Sequence, residues 1–143
     1  MSSFQDIQKQ LVEDFSFLED WEDKYAYLID LGKSLQPLDA TYKNENYLIK
    51  GCQSKVWLHA EVEGDRIRYF ADSDAFISKG IVALLVKVFD GQKPEDVLHG
   101  DFFVVDQIGL AAHLSPNRAN GLGSMLKQMR AYALAYQTKT QNA

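Results

Sequence analysis

Cysteine and histidine are both scarce in this sequence of 143 residues, which contains one cysteine and three histidines. A single cysteine cannot form an internal disulfide, and this agrees with a reducing compartment. A structural zinc site takes four cysteine or histidine ligands, usually in closely spaced pairs, whereas Cys52, His59, His99 and His113 are scattered. The HExxH, CxxC, calcium-loop and phosphate-loop spacings are all missing. We therefore expect this chain to bind no metal and no cofactor.

Basic charge and long apolar runs are also lacking. The chain has 15 Lys and Arg against 20 Asp and Glu, a net charge of −5, whereas nucleic-acid binding needs a concentrated basic surface. The longest apolar run, residues 81–86, is far shorter than the ~20 residues of a membrane helix. The start, "MSSFQDIQKQLVEDF", lacks the basic and apolar parts of a signal peptide. We expect a cytoplasmic protein that binds neither nucleic acid nor a membrane.

The apolar content, at 46%, is enough for the core of one domain spanning residues 1–143. Apolar residues at helical spacing predict an amphipathic helix over residues 3–15 or so. A second helix is predicted after Asp20, which suits an N-cap, with Gly32 as its stop. Near the other end of the chain, Ser115 and Pro116 predict the N-cap and first residue of a long last helix.

The middle of the chain changes to a period of two, which is typical of strands. Residues 56–63 and 66–71 predict a β-hairpin around a tight turn, and residues 47–50 could add a short third strand. A mostly apolar helix follows Asp72, Ser73 and Asp74, each of which suits its N-cap, and short helices come after it. The order of elements predicts an α+β fold, a small antiparallel sheet with helices packed on one face.

The cysteine lies in the stretch "IKGCQSKVW", residues 49–57. A lone cysteine is usually a small buried hydrophobic residue. Cys52 instead follows Gly51 and precedes Gln53 and Ser54, a context that favours a turn just before a strand. Reactivity depends on exposure and thiol pKa, so the local context leaves both interpretations open. No histidine lies at a spacing characteristic of a cysteine–histidine catalytic pair.

Four segments together resemble the SufE family, the sulfur acceptors of iron–sulfur cluster assembly. They are "DWEDKY" at 20–25, "GCQSKVW" at 51–57, "DSDAFISKG" at 72–80 and "HLSPNRANGL" at 113–122. Their order and spacing fit, and they span nearly the whole chain. Ser115 stands where the family has a threonine, which is a conservative departure. The resemblance implies the α+β fold that SufE proteins share with IscU-type scaffolds.

The resemblance also implies a function. Cys52 would accept sulfur from the persulfide of a SufS-like cysteine desulfurase, an enzyme that carries pyridoxal phosphate, and would pass it to a SufBCD-like scaffold. Sulfur exchange requires one attacking thiolate, and a second nearby thiol would discharge the persulfide as a disulfide, so a lone cysteine suits this role. A persulfide is prone to oxidation, so we expect apolar surface near the loop to shelter it. We expect a monomer or weak homodimer without independent turnover.

Five neighbours are candidate loop-supporting or partner-binding residues. Gly51 would give the loop its backbone freedom, and Gln53 and Ser54 would hydrogen-bond the turn or the sulfur. Asp74 matches an acidic family position beside the loop, although an N-cap role is the simpler interpretation. Arg118 matches the family's arginine and would favour a thiolate or pair across the interface; otherwise it is a solvated first-turn residue.

The residues leave three alternatives open. The chain resembles the CsdE branch equally well, whose members serve a different desulfurase and different acceptors. It also fits a purely allosteric desulfurase-binding module that carries no sulfur. An independent thiol enzyme, such as a peroxidase or hydrolase, is disfavoured because the sequence offers neither a local base nor a resolving cysteine.

Overall fold

The computed structural model of the chain describes the backbone of residues 3–51 and 54–141 and the side chains of residues 3–51 and 54–138. Two helices open the chain, α1 at Phe4–Ser16 and α2 at Trp21–Lys33. The Asp20 side chain accepts a hydrogen bond from the Asp23 backbone N–H at 2.9 Å, so the predicted N-cap of α2 is confirmed. These helices form because apolar residues recur on one face of each.

The prediction that Gly32 stops α2 is wrong. Gly32 is buried inside α2, one residue before its end, and lies against Gly80 of the next long helix, α3 (Phe76–Phe89). A Cβ atom at Gly32 would come within 3.1 Å of the Gly80 backbone nitrogen. A glycine is needed here because the two helix backbones approach closely, and such a contact between distant segments leaves no local signal.

The predicted hairpin is confirmed. Strands β1 (Val56–Glu63) and β2 (Arg66–Ser73) pair antiparallel in register from Val56 opposite Ser73 to Glu63 opposite Arg66. Gly64 has φ 64° in the tight turn between them. The expected third strand over residues 47–50 is reduced to one bridge, between Leu48 and Trp57, because a 3-10 turn at residues 45–47 precedes it.

The two faces of the hairpin have different environments. One face is buried in the core and contributes Val56, Leu58, Ala60, Ile67, Tyr69 and Ala71. Of the two strands, β2 is the one against which helix α3 mainly packs, and the Tyr69 hydroxyl donates a 2.7 Å hydrogen bond to the Met129 carbonyl of the last helix. On the other face, His59 stacks on Tyr42 of the segment that precedes the sheet. The helices therefore pack on one face of the sheet, as predicted.

The start of α3 differs from the prediction. Its N-cap is Ala75, and no side chain caps it, so Asp72, Ser73 and Asp74 do not fill that role. Asp72 and Ser73 still belong to β2, and Asp74 lies in the turn that follows. The carboxylates of Asp72 and Asp74 bind other partners, described below. The carboxylates that could have capped α3 bind these partners instead of the backbone N–H groups at the start of the helix.

Three helices complete the fold, α4 (Pro94–His99), α5 (Val104–Ile108) and α6 (Pro116–Gln141). The Ser115 hydroxyl accepts a hydrogen bond from the Arg118 backbone N–H at 3.3 Å, which confirms the predicted start of α6. Helix α6 packs against α3, α4 and β1. Within residues 3–51 and 54–141, no helix is both long and apolar enough to cross a membrane.

Candidate functional site

The candidate site is the loop of residues 50–55, where β1 begins beside α3 and α6. Cys52 and Gln53 lie outside the described residues, so the site is defined by the residues on either side of them. Gly51 has φ 89°, a backbone conformation that favours glycine. A Cβ atom added at Gly51 would lie 3.0 Å from the Ser124 Oγ atom of α6. The start of the loop, at Gly51, therefore lies in close contact with α6.

The other end of the loop is held by α3 and by the turn before it. The Ser78 hydroxyl of α3 donates to the half-buried Ser54 hydroxyl at 3.3 Å. The Asp74 Oδ1 atom accepts from the Lys55 backbone N–H at 3.0 Å, and the Asp74 N–H donates to the Lys55 carbonyl at 3.2 Å. The Ser73 hydroxyl also donates to that carbonyl, at 2.9 Å. Both polar groups of the Lys55 backbone are thus satisfied by the β2–α3 connection.

Next to these hydrogen bonds, Asp72 forms two ion pairs. Its two oxygens accept from Lys43 Nζ at 2.9 Å and from Lys79 Nζ at 3.3 Å. Burial acts to raise the pKa of the Asp72 carboxyl, but hydrogen bonds from Lys43, the Ser73 N–H and Lys79 outweigh it and lower that pKa. Asp72 joins the segment before the loop to α3. The sequence did not indicate these two ion pairs, because the predicted strand ended at residue 71, one residue short of Asp72.

An apolar pocket lies next to the described part of the loop, between the first three turns of α3 and the first three turns of α6. Its apolar lining residues are Val56, Ile81, Val82, Leu85, Leu122 and Met125. Its polar lining includes Ser54, Ser78 and Arg118. The cavity volume is about 30 Å³, room for roughly one or two water-sized groups. The structure thus brings Ser54 and Arg118 together at one pocket, whereas Asp74 lies outside it.

The glycines at the start of α6 differ from each other. Gly121 is buried and lines the pocket, but a Cβ atom at Gly123 would meet nothing within 4 Å. Gly123 therefore lies on the exposed side of α6, where an added methyl group has room.

No histidine lines this pocket among the residues that the structure describes. His59 stacks on Tyr42 with ring centroids 3.9 Å apart, and its Nε2 atom lies 3.0 Å from Glu61 Oε1. His113 stacks on Trp21, also at 3.9 Å. Each of these two rings is engaged in a packing contact on another part of the surface. A cluster of three potential metal ligands is likewise missing from residues 3–51 and 54–141.

Comparison with known families identifies the chain. A family model described as SufE, the Fe-S metabolism associated domain, matches residues 9–133. The chain belongs to the SufE family. Family membership places it in iron–sulfur metabolism, as the four sequence segments predicted.

Named relatives and a solved structure agree with this membership. An uncharacterized SufE-like protein of Rhizobium meliloti is 36% identical, over 87% of this chain and 92% of the relative. A SufE-like protein of Rhizobium etli is 39% identical, over 85% of each chain. SufE-like protein 1 of Arabidopsis thaliana, named chloroplastic/mitochondrial, is 37% identical over 96% of this chain but only 40% of its own length.

The fold has also been seen before. The solution structure of a hypothetical protein from Thermus thermophilus superposes with a TM-score of 0.77 at 26% identity, covering 92% of this chain and 96% of that one. The predicted α+β class is therefore confirmed for this SufE-family chain.

Proposed function

We propose that this SufE-family chain accepts sulfur on Cys52 from a cysteine desulfurase of the SufS kind and passes it on for iron–sulfur cluster assembly. The desulfurase would carry pyridoxal phosphate, and a scaffold of the SufBCD kind would receive the sulfur. We further propose that the chain acts in the cytoplasm and activates the desulfurase by removing its persulfide.

One observation carries the proposal: the loop with the only cysteine is held at both ends beside an apolar pocket. Gly51 packs against Ser124 on one side of Cys52, and Ser54 and Lys55 are bonded to α3 and the turn before it on the other. The sequence has no second cysteine that could resolve a persulfide into an intramolecular disulfide. This arrangement suits a carrier that holds one sulfur atom until a partner takes it.

The transfer needs one thiolate and no oxidant. The Cys52 sulfur, once deprotonated, attacks the outer sulfur of the donor persulfide. A new sulfur–sulfur bond forms as the donor's sulfur–sulfur bond breaks, and the donor cysteine leaves as a thiolate. Sulfur atoms and electrons balance because one sulfur–sulfur bond replaces another and the outer sulfur moves from one protein to the other. In the next transfer Cys52 carries the persulfide, and a thiolate of the acceptor attacks its outer sulfur while the Cys52 thiolate leaves.

The neighbouring residues would support this chemistry in different ways. A guanidinium such as that of Arg118, at the pocket rim, favours a nearby thiolate. Gly51 supplies a backbone conformation that other residues adopt with strain, and Gln53 and Ser54 would hydrogen-bond the turn. Asp74 would hold the Lys55 end of the loop. The apolar pocket, with room for about one or two water-sized groups, would shield the terminal sulfur from oxidants and thiols.

The first test is the substitution Cys52→Ser, which keeps the size of the side chain but removes the nucleophile. We expect the variant to fold normally and to lose all stimulation of the desulfurase, measured as the rate of alanine release from cysteine. Val62→Ala, an exposed position at the far end of β1, is the control and should retain full stimulation. A Cys52→Ser variant that stimulates as well as the native chain would favour an allosteric module and contradict the proposal.

Two further results would change the proposed function. If the partner captured from the native host is a different desulfurase from the SufS kind, the chain belongs to a CsdE-like branch with other acceptors. If the chain turns over a thiol substrate without any desulfurase, it is an independent thiol enzyme.

A further inference from the structure

Phe76, the first residue of α3, is unusual because its aromatic side chain is 77% exposed at the start of a largely buried helix. Isolated apolar residues on a surface are common and by themselves indicate nothing. Large exposed apolar side chains elsewhere in the described residues are Phe17, Val62 and Leu134. The position of Phe76 beside the cysteine loop is what calls for an explanation.

Phe76 lies two residues from each of two contacts with the loop. Asp74, on one side of it, exchanges two hydrogen bonds with the Lys55 backbone, and Ser78, on the other side, bonds to Ser54. Consecutive Cα atoms are about 3.8 Å apart, so the Phe76 Cα atom lies within about 8 Å of the Cα atoms of Asp74 and Ser78. A side chain at this place is next to any surface that covers the loop.

A sulfur donor must cover this surface. Sulfur exchange requires contact between the two sulfur atoms, so a donor protein has to dock over the loop. A stable interface buries about 800 Å² on each partner, which corresponds to a disc with a radius of about 16 Å. A disc of that size centred on the loop takes in the first turn of α3. An exposed aromatic ring near its centre has the character of a binding hot spot.

The charges around Phe76 indicate the kind of partner that fits. Lys50, Lys55 and Arg118 are exposed near the loop and outnumber the exposed carboxylate of Asp74, so this face carries more positive than negative charge although the whole chain has a net charge of −5. A symmetric pair of copies meeting at this face would bring the same cations together across the two-fold axis, which is unfavourable. A different protein with an apolar socket bordered by acidic residues complements both the ring and the charges.

We propose that Phe76 is the aromatic anchor by which this chain docks on its sulfur-donating partner, the ring entering an apolar socket on the donor with acidic residues around it. This inference rests on the proposed function, because the donor is the desulfurase that loads Cys52. Phe76 acts in binding and takes no part in sulfur exchange.

The test compares Phe76→Ala with two controls, each measured for the Kd of the complex with the host's desulfurase. Phe76→Leu keeps an apolar anchor, and Val62→Ala truncates another exposed apolar residue, 45% exposed and six residues along β1 from Val56, about 20 Å away. The rate at which iodoacetamide alkylates Cys52 reports the thiol without any partner. We expect Phe76→Ala to raise Kd about tenfold or more, Phe76→Leu to recover much of the affinity, and Val62→Ala to change nothing. Alkylation should be equal in all four proteins.

Each other outcome overturns the inference in a distinguishable way. If the native chain accepts sulfur and Phe76→Ala binds as tightly as Val62→Ala, the anchor is wrong and the proposed function stands. If the native chain neither binds the desulfurase nor accepts sulfur from it, the proposed function fails and the anchor fails with it. If Phe76→Ala changes only self-association in sedimentation, the ring serves a second copy of this chain and the donor assignment is wrong.

Discussion

At the scale of single residues, Asp74 holds the end of the cysteine loop that leads into β1. Its carboxylate accepts a hydrogen bond from the Lys55 N–H, and its own N–H donates to the Lys55 carbonyl, so Asp74 alone binds both polar groups of the Lys55 backbone. Hydrogen bonds that involve a charged group contribute about 1.5–3 kcal/mol. A local bond of this strength is enough to decide how often the loop opens.

We predict that Asp74→Ala frees the Lys55 end of the loop, whereas Asp74→Asn does not, because asparagine keeps an oxygen that can accept from the Lys55 N–H. Amide hydrogen exchange at Lys55 should become about tenfold faster in Asp74→Ala and should change little in Asp74→Asn. Asp74 is exposed, so global stability should be nearly equal in the two variants. Equal exchange rates at Lys55 in Asp74→Ala and the native chain would show that this bond does not hold the loop.

Residue roles were predictable from the sequence only where the signal is local. Ser115 was recognised as an N-cap because its donor, the Arg118 N–H, is three residues away. Cys52 was singled out because it is alone and follows a glycine, and its role in sulfur transfer stays a prediction. For Asp74 the same kind of local signal favoured an N-cap over the loop-supporting role that the family resemblance implied, and the N-cap interpretation is wrong. Its partner, Lys55, is 19 residues away in the chain, and nothing in the local pattern indicates such a bond.

At the scale of elements, the position of the loop depends on how closely α2 packs against α3. A Cβ atom at Gly80 would lie 2.4 Å from the Leu28 carbonyl oxygen, a backbone atom that cannot turn away. Gly32 makes the reciprocal close approach from α2. Periodicity predicted both helices, but not this crossing, because a glycine near the end of a helical pattern is also a typical stop signal.

We predict that Gly80→Ala destabilises the fold by about 2–3 kcal/mol, since overpacking forces the two helices apart. Gly123→Ala is the matched control within α6, where a methyl group meets nothing within 4 Å. That change should be neutral or stabilise by up to about 1 kcal/mol, because alanine has the higher helix propensity. Urea unfolding of the two variants gives both values. A Gly80→Ala protein as stable as the native chain would contradict the close crossing.

At the scale of the whole molecule, the hairpin and the first turns of α3 and α6 combine to build one site. The order of elements and the four family segments were sufficient to predict the α+β fold, which the Thermus thermophilus structure confirms. The pocket could not be predicted, because its lining comes from β1, α3 and α6, segments that no local pattern links. The same is true of Phe76, whose exposure is visible only once the rest of α3 is buried.

The central claim, that Cys52 carries sulfur, is tested most directly by the mass of the chain itself. The chain is incubated with the desulfurase and free cysteine, separated without reductant and analysed by mass spectrometry, with Cys52→Ser treated in parallel. We predict a gain of one sulfur atom, located on the peptide that contains Cys52, removed by a thiol reductant and missing from the serine variant. Full stimulation of the desulfurase without that gain in mass would contradict the claim.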